Sequence, residues 1–167
     1  MKTKQLAINA MLAAMCAVLG YVSLDLGNFK FTFESFPIII AAFLFGPVHG
    51  MIVAFVGTFI YQILKWGLMS TTILWVLPYV IFALFLGLLY KENMPKKNFF
   101  ALMIAGGILL TLLNTLSIYI DSKVWDYYTF AYVFGSFFVR LIVSVIKSVV
   151  FALIVPGIIK AVKPYAA

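Results

Sequence analysis

Charge is what this sequence has least of. Of its 167 residues, 10% are charged, against about 25% in an average soluble domain. Too few polar side chains exist to cover a water-facing surface, which excludes an ordinary soluble domain. A single Cys excludes a disulfide framework and a Cys-clustered metal site. The single His, His49, has no partners for a zinc site, so no metal is expected. It stands in the turn Gly46-Pro47-Val48-His49-Gly50, where a turn or interface role is the simpler reading. No Gly-rich phosphate loop, HExxH motif or Ser–His pairing occurs. Asp121 and Asp126 are a pair of carboxylates, but an aromatic-flanked connection is a weak catalytic setting. Neither an enzyme nor a bound cofactor is expected.

What is present is apolar. Apolar residues make up 65% of the chain, and 17 Phe, 9 Tyr and 3 Trp exclude a disordered one. The net charge of +7 does not point to nucleic acid, because no stretch interleaves Lys or Arg with aromatics on a solvated face. The expected fold class is an all-α integral membrane protein, one transmembrane domain over residues 1–167. A spanning helix takes about 20 residues, so about six fit with little left over. Strands of an outer-membrane barrel alternate polar with apolar over about 10 residues; the apolar runs here are continuous and longer.

Six segments are expected. The first runs from Gln5 to Ser23, behind Lys2 and Lys4. It resembles a signal peptide, but Met15-Cys16 lacks the small residue of a lipoprotein cleavage site, and five more apolar segments follow. It reads as a retained helix. A polar connection over 24–34 carries Asp25, Gly27, Asn28, Lys30 and Glu34. The second segment, Ser35 to Phe45, is short for a span and bounded by Pro37 and Gly46-Pro47. The others run from Val48 to Leu64, Thr71 to Tyr90, Asn98 to Ile120 and Tyr132 to Val162, the last bent near Pro156-Gly157.

Lysine placement sets the orientation. With both termini cytoplasmic, the inner connections carry Lys2, Lys4, Lys91, Lys96, Lys97, Lys160 and Lys163. The outer ones carry Lys30, Lys65 and Lys123.

Ionisable groups at membrane depth are costly and are read first as functional. Arg140 and Lys147 both lie in the sixth segment, seven residues apart and on one helix face. Lys147 reads equally well as a functional group or as a bland one, snorkelling toward the inner surface or making a structural contact. Arg140 has no acidic residue at its depth and reads as facing a cavity. Asn114 in the fifth segment, and Trp75 and Tyr79 one turn apart in the fourth, come to a similar level. With Gln62, Glu34, Trp66, Trp125 and Tyr128 they outline an outward-facing pocket: aromatic walls stack on a flat ring, and amides and Arg bind its edge. An interfacial aromatic belt accounts for Trp125, Tyr127 and Tyr128 equally well, and is preferred for Tyr127. In the first segment Ala10 and Ala14 are four apart, as are Ala13 and Ala17, with Ala7 preceding. Such spacing admits close approach by a helix, either of this chain or of another.

These residues resemble a family. The Ala-xxx-Ala first helix, the run Phe33-Glu34-Ser35-Phe36-Pro37-Ile38, the element Phe45-Gly46-Pro47-Val48-His49-Gly50 and the stretch Gly57 to Gly67 are similar to the substrate-binding S component of energy-coupling factor (ECF) vitamin transporters. The resemblance implies an S component that binds a vitamin or precursor on its outer side. It implies partnership with a transmembrane T component and two cytoplasmic ATPases, with release inside driven by ATP. It implies docking on the T component through Ala10, Ala13, Ala14 and Ala17, and a pocket of the first outer loop and helices four to six. Glu34, Trp75, Tyr79, Asn114, Arg140 and Lys147 would then be the substrate-binding residues. The stretch Thr71-Thr72-Ile73-Leu74-Trp75-Val76-Leu77-Pro78 resembles the pyridoxine or hydroxymethylpyrimidine branch, with folate or another vitamin as the alternative. A small autonomous carrier or channel is the other reading. It would need a continuous polar path, which the inner halves of segments two to four do not offer.

Overall fold

The computed structural model describes residues 3–26, 29–127 and 129–166. Lys2, Gly27, Asn28 and Tyr128 lie outside the described residues, as do the side chains of Asp25 and Lys30.

The chain is a bundle of helices. Helix α1 covers Thr3–Tyr21. Two three-residue strands follow, β1 Leu24–Leu26 and β2 Phe29–Phe31, paired antiparallel with Leu24 opposite Phe31. This hairpin occupies the expected polar connection. Then come α2 Ser35–Phe45, α3 Pro47–Trp66, α4 Thr72–Leu89 and α5 Lys96–Val124. The one-turn helix α6, Phe130–Phe134, precedes α7, Phe137–Ala166. The expected sixth segment is therefore interrupted at Gly135-Ser136, and Pro156 and Pro164 lie inside α7.

Helix boundaries follow local chemistry. At Gly46 φ is 91°, a conformation that glycine adopts without the Cβ clash of other residues. Its N–H closes α2 by bonding the Ala42 carbonyl at 3.1 Å. Pro47 then opens α3, where its fixed φ suits a first helical position and its missing N–H costs nothing.

Six spans are expected from the sequence, but among the described residues five helical units are long and apolar enough to cross a membrane: α1, α3, α4, α5 and the stretch from α6 through α7. Helix α2 has 11 residues, or about 16 Å at 1.5 Å per residue, against a hydrocarbon core about 30 Å thick. It is instead enclosed, packing against α1, α3, α4 and α7. Ile38, Ile39, Ala41, Val53, Ala54, Ala83, Leu86 and Val155 form the centre of the core around it. The outer faces carry Leu88, Phe138, Ile142 and Leu153 exposed, as a surface solvated by lipid requires.

Helices α1 and α3 approach closely at Gly57. A Cβ there would lie 2.6 Å from the Cys16 Cβ and 2.8 Å from the Ala13 carbonyl oxygen.

Candidate functional site

The hairpin returns the chain to α2 through Thr32, Phe33 and Glu34. Glu34 is 2% exposed although it is a carboxylate. Its Oε1 accepts from the Thr32 hydroxyl at 3.1 Å and from the Tyr79 hydroxyl of α4. Its Oε2 is buried without a hydrogen-bond partner. Asn114 of α5 lines the same cavity as Tyr79.

Helix α7 brings the two cations. Arg140 donates from Nη2 to the Val133 carbonyl at 2.8 Å, which ties α7 to α6. Its Nε is buried and unpartnered. Lys147, two turns on, donates from Nζ to the Thr32 carbonyl at 3.2 Å. Between them Ser144 donates to the Gly107 carbonyl of α5 at 2.9 Å, and Thr111 donates to the same oxygen at 3.0 Å.

These groups surround a cavity of about 90 Å³ lined by Phe31, Thr32, Tyr79, Leu110, Thr111, Asn114, Arg140, Val143, Ser144 and Lys147. A second, apolar groove of about 320 Å³ adjoins it, lined by Phe31, Phe33, Val143, Ile146, Lys147 and Val150. Phe31, Val143 and Lys147 belong to both.

The residues singled out from sequence thus divide. Tyr79, Asn114, Arg140 and Lys147 line one cavity, and Glu34 is bonded to it through Tyr79. Trp75 is half-buried one turn before Tyr79 and does not line it. Gln62 is buried elsewhere, and Trp66 and Trp125 are exposed. Sequence reasoning missed Thr111 and Ser144. The signal was helical spacing: Thr111 lies three residues before Asn114, and Ser144 four after Arg140, so each shares its partner's face.

The four alanines also divide. Ala13 and Ala17 are buried against the chain's own helices, whereas Ala7, Ala10 and Ala14 are exposed. His49 meets the buried Asn9 of α1, with Nδ1 2.6 Å from the amide nitrogen. Near the opposite end, Tyr127 donates to Asp121 Oδ2 at 2.5 Å. Desolvation, and then the Asp121 carboxylate, push the Tyr127 phenol well above its usual range. Among the described residues no cluster of metal-ligating side chains occurs.

The family model of the ECF transporter substrate-specific component matches residues 4–162. The chain belongs to this family. No curated protein matches it. As an ECF substrate-specific component it is a multi-pass membrane protein and a subunit of a transporter. That role asks for a binding cavity rather than a reacting constellation.

Proposed function

We propose that this S component captures a small vitamin or vitamin precursor at the outer side of the membrane, in the cavity between Tyr79, Asn114, Arg140 and Lys147. Glu34 holds Tyr79 in place, and Trp75 backs the same face of α4. The observation that carries this reading is convergence. In a chain with 10% charged residues, polar groups from the hairpin exit, α4, α5 and α7 meet at one cavity. Lysine placement supports six membrane-embedded segments with both termini cytoplasmic, which puts the hairpin and the start of α4 outside.

Delivery follows from partnership. The S component docks on a T component through the exposed Ala10 and Ala14 face of α1, with Ala13 and Ala17 setting how closely α1 sits on α3. Two cytoplasmic ATPases drive reorientation and release, in the cytoplasmic membrane of a bacterium. Pyridoxine and hydroxymethylpyrimidine are the first ligands to test, on the resemblance of Thr71 to Pro78. Folate is the alternative.

Native mass spectrometry of the detergent-purified chain tests the reading, with bound small molecules released and identified. A one-ring vitamin that is lost from Arg140→Ala and Asn114→Ala, while both variants insert normally, supports it. Undiminished binding by both variants would move the site elsewhere.

A further inference from the structure

The cavity lining holds two cations and no carboxylate among the described residues. Glu34 is linked to Lys147 through Thr32, whose carbonyl accepts from Lys147 and whose hydroxyl donates to Glu34. One positive charge is thereby offset. The other, on Arg140, has only the Val133 carbonyl as a described acceptor, and its Nε–H is buried with none. A buried donor left unmatched is costly, more so on a charged group. Lys147 has three donors, of which one described bond uses one.

The space beside these donors has two parts. A cavity of about 90 Å³ has room for about three waters, enough for a carboxylate and the atoms next to it. The adjoining groove of about 320 Å³ is walled by Phe31, Phe33, Val143 and Val150. Phe31 and Phe33 meet edge to face, with centroids 4.9 Å apart.

We infer that the ligand is a monoanionic ring compound, with its carboxylate between Arg140 and Lys147 and its ring in the Phe31–Phe33 groove. This rests on the reading of the cavity as the ligand site and narrows it to acids. Charge-assisted hydrogen bonds from Arg to a carboxylate are the stronger kind, and an alcohol or amide in the same place forfeits them.

The test uses matched rings. Binding to the purified full chain in nanodiscs is measured by calorimetry for pyridine-3-carboxylate against pyridine-3-carboxamide, and for 4-pyridoxate against pyridoxine. The same is done for hydroxymethylpyrimidine against its 5-carboxylate. In at least one pair the acid is expected to bind about tenfold or more tightly. Arg140→Gln should abolish that preference and Arg140→Lys restore part of it. Neutral members binding as tightly as their acids in every pair, or no acid binding at all, overturns the inference. Co-purification with the T component and ATPases is scored separately. A chain that assembles but prefers the neutral ring loses only the anion; one that neither assembles nor binds loses the transport reading as well.

Discussion

The Tyr79 hydroxyl donates to the Glu34 carboxylate, joining α4 to the residue that opens α2 across 45 positions of sequence. The bond fixes the exit of the hairpin against the helix that lines the cavity. Removing it leaves the carboxylate oxygen with Thr32 alone. Tyr79→Phe is expected to lower stability by about 1–3 kcal/mol, read as thermal unfolding in detergent. An unchanged unfolding temperature would mean that the bond contributes nothing net.

The approach of α1 to α3 at Gly57 has no room for a side chain. Gly57→Val puts its Cβ 2.6 Å from Cys16, and overpacking of this kind costs about 1–3 kcal/mol or more. Gly157 on α7 is the control, since a Cβ there meets nothing within 4 Å. Gly157→Ala should be neutral or stabilising by up to about 1 kcal/mol. Equal loss in both variants would contradict the packing account.

Ala13 and Ala14 are neighbours in sequence with opposite surroundings, one buried and one exposed. Ala13→Trp is expected to reduce the yield of folded chain. Ala14→Trp should leave yield and ligand binding intact and abolish assembly with the T component. Normal co-purification of the Ala14→Trp chain would remove that face from docking.

The Tyr127–Asp121 bond gives an alkaline signature. The folded phenol titrates above the ordinary value of 10.0, through desolvation first and the carboxylate second. A proton held more tightly in the folded state stabilises it below the unfolded pKa. That contribution is complete below pH of about 10 and is lost as pH rises beyond it. Phenolate absorbance should show several tyrosines ionising late, and Tyr127→Phe should lower the late amplitude by one tyrosine. An undiminished late amplitude would mean that Tyr127 titrates as an ordinary phenol.

Long apolar runs declare themselves in a sequence, which is why every helix of spanning length was legible. Two features were not. The hairpin has three residues per strand, too few for a period of two to stand out. The shortness of α2 was visible between Ser35 and Phe45, but its enclosure depends on partners far away in sequence. The candidate site was half legible. Arg140, Lys147 and Asn114 stand out because polar groups are rare in these helices. Thr111 and Ser144 do not, because a hydroxyl bonded to a helix carbonyl is unremarkable in sequence. The alanines show the limit of spacing. Ala10 and Ala13 are three residues apart, or about 60° around the helix, and only the neighbours determine which of two adjacent stripes is covered.

The enclosure of α2 bears on how the protein is made. Eight of its eleven residues are buried, so protein rather than lipid solvates it. A segment of this length gains little by partitioning into the bilayer alone, and the tight reversal at Gly46 makes α3 its natural companion during insertion. Its walls are α1, α3, α4 and α7, and α7 is synthesised after the other three. Helix α2 is therefore sealed by a helix made well after it, and a ribosome halted before α7 leaves a chain whose centre is still open on one side.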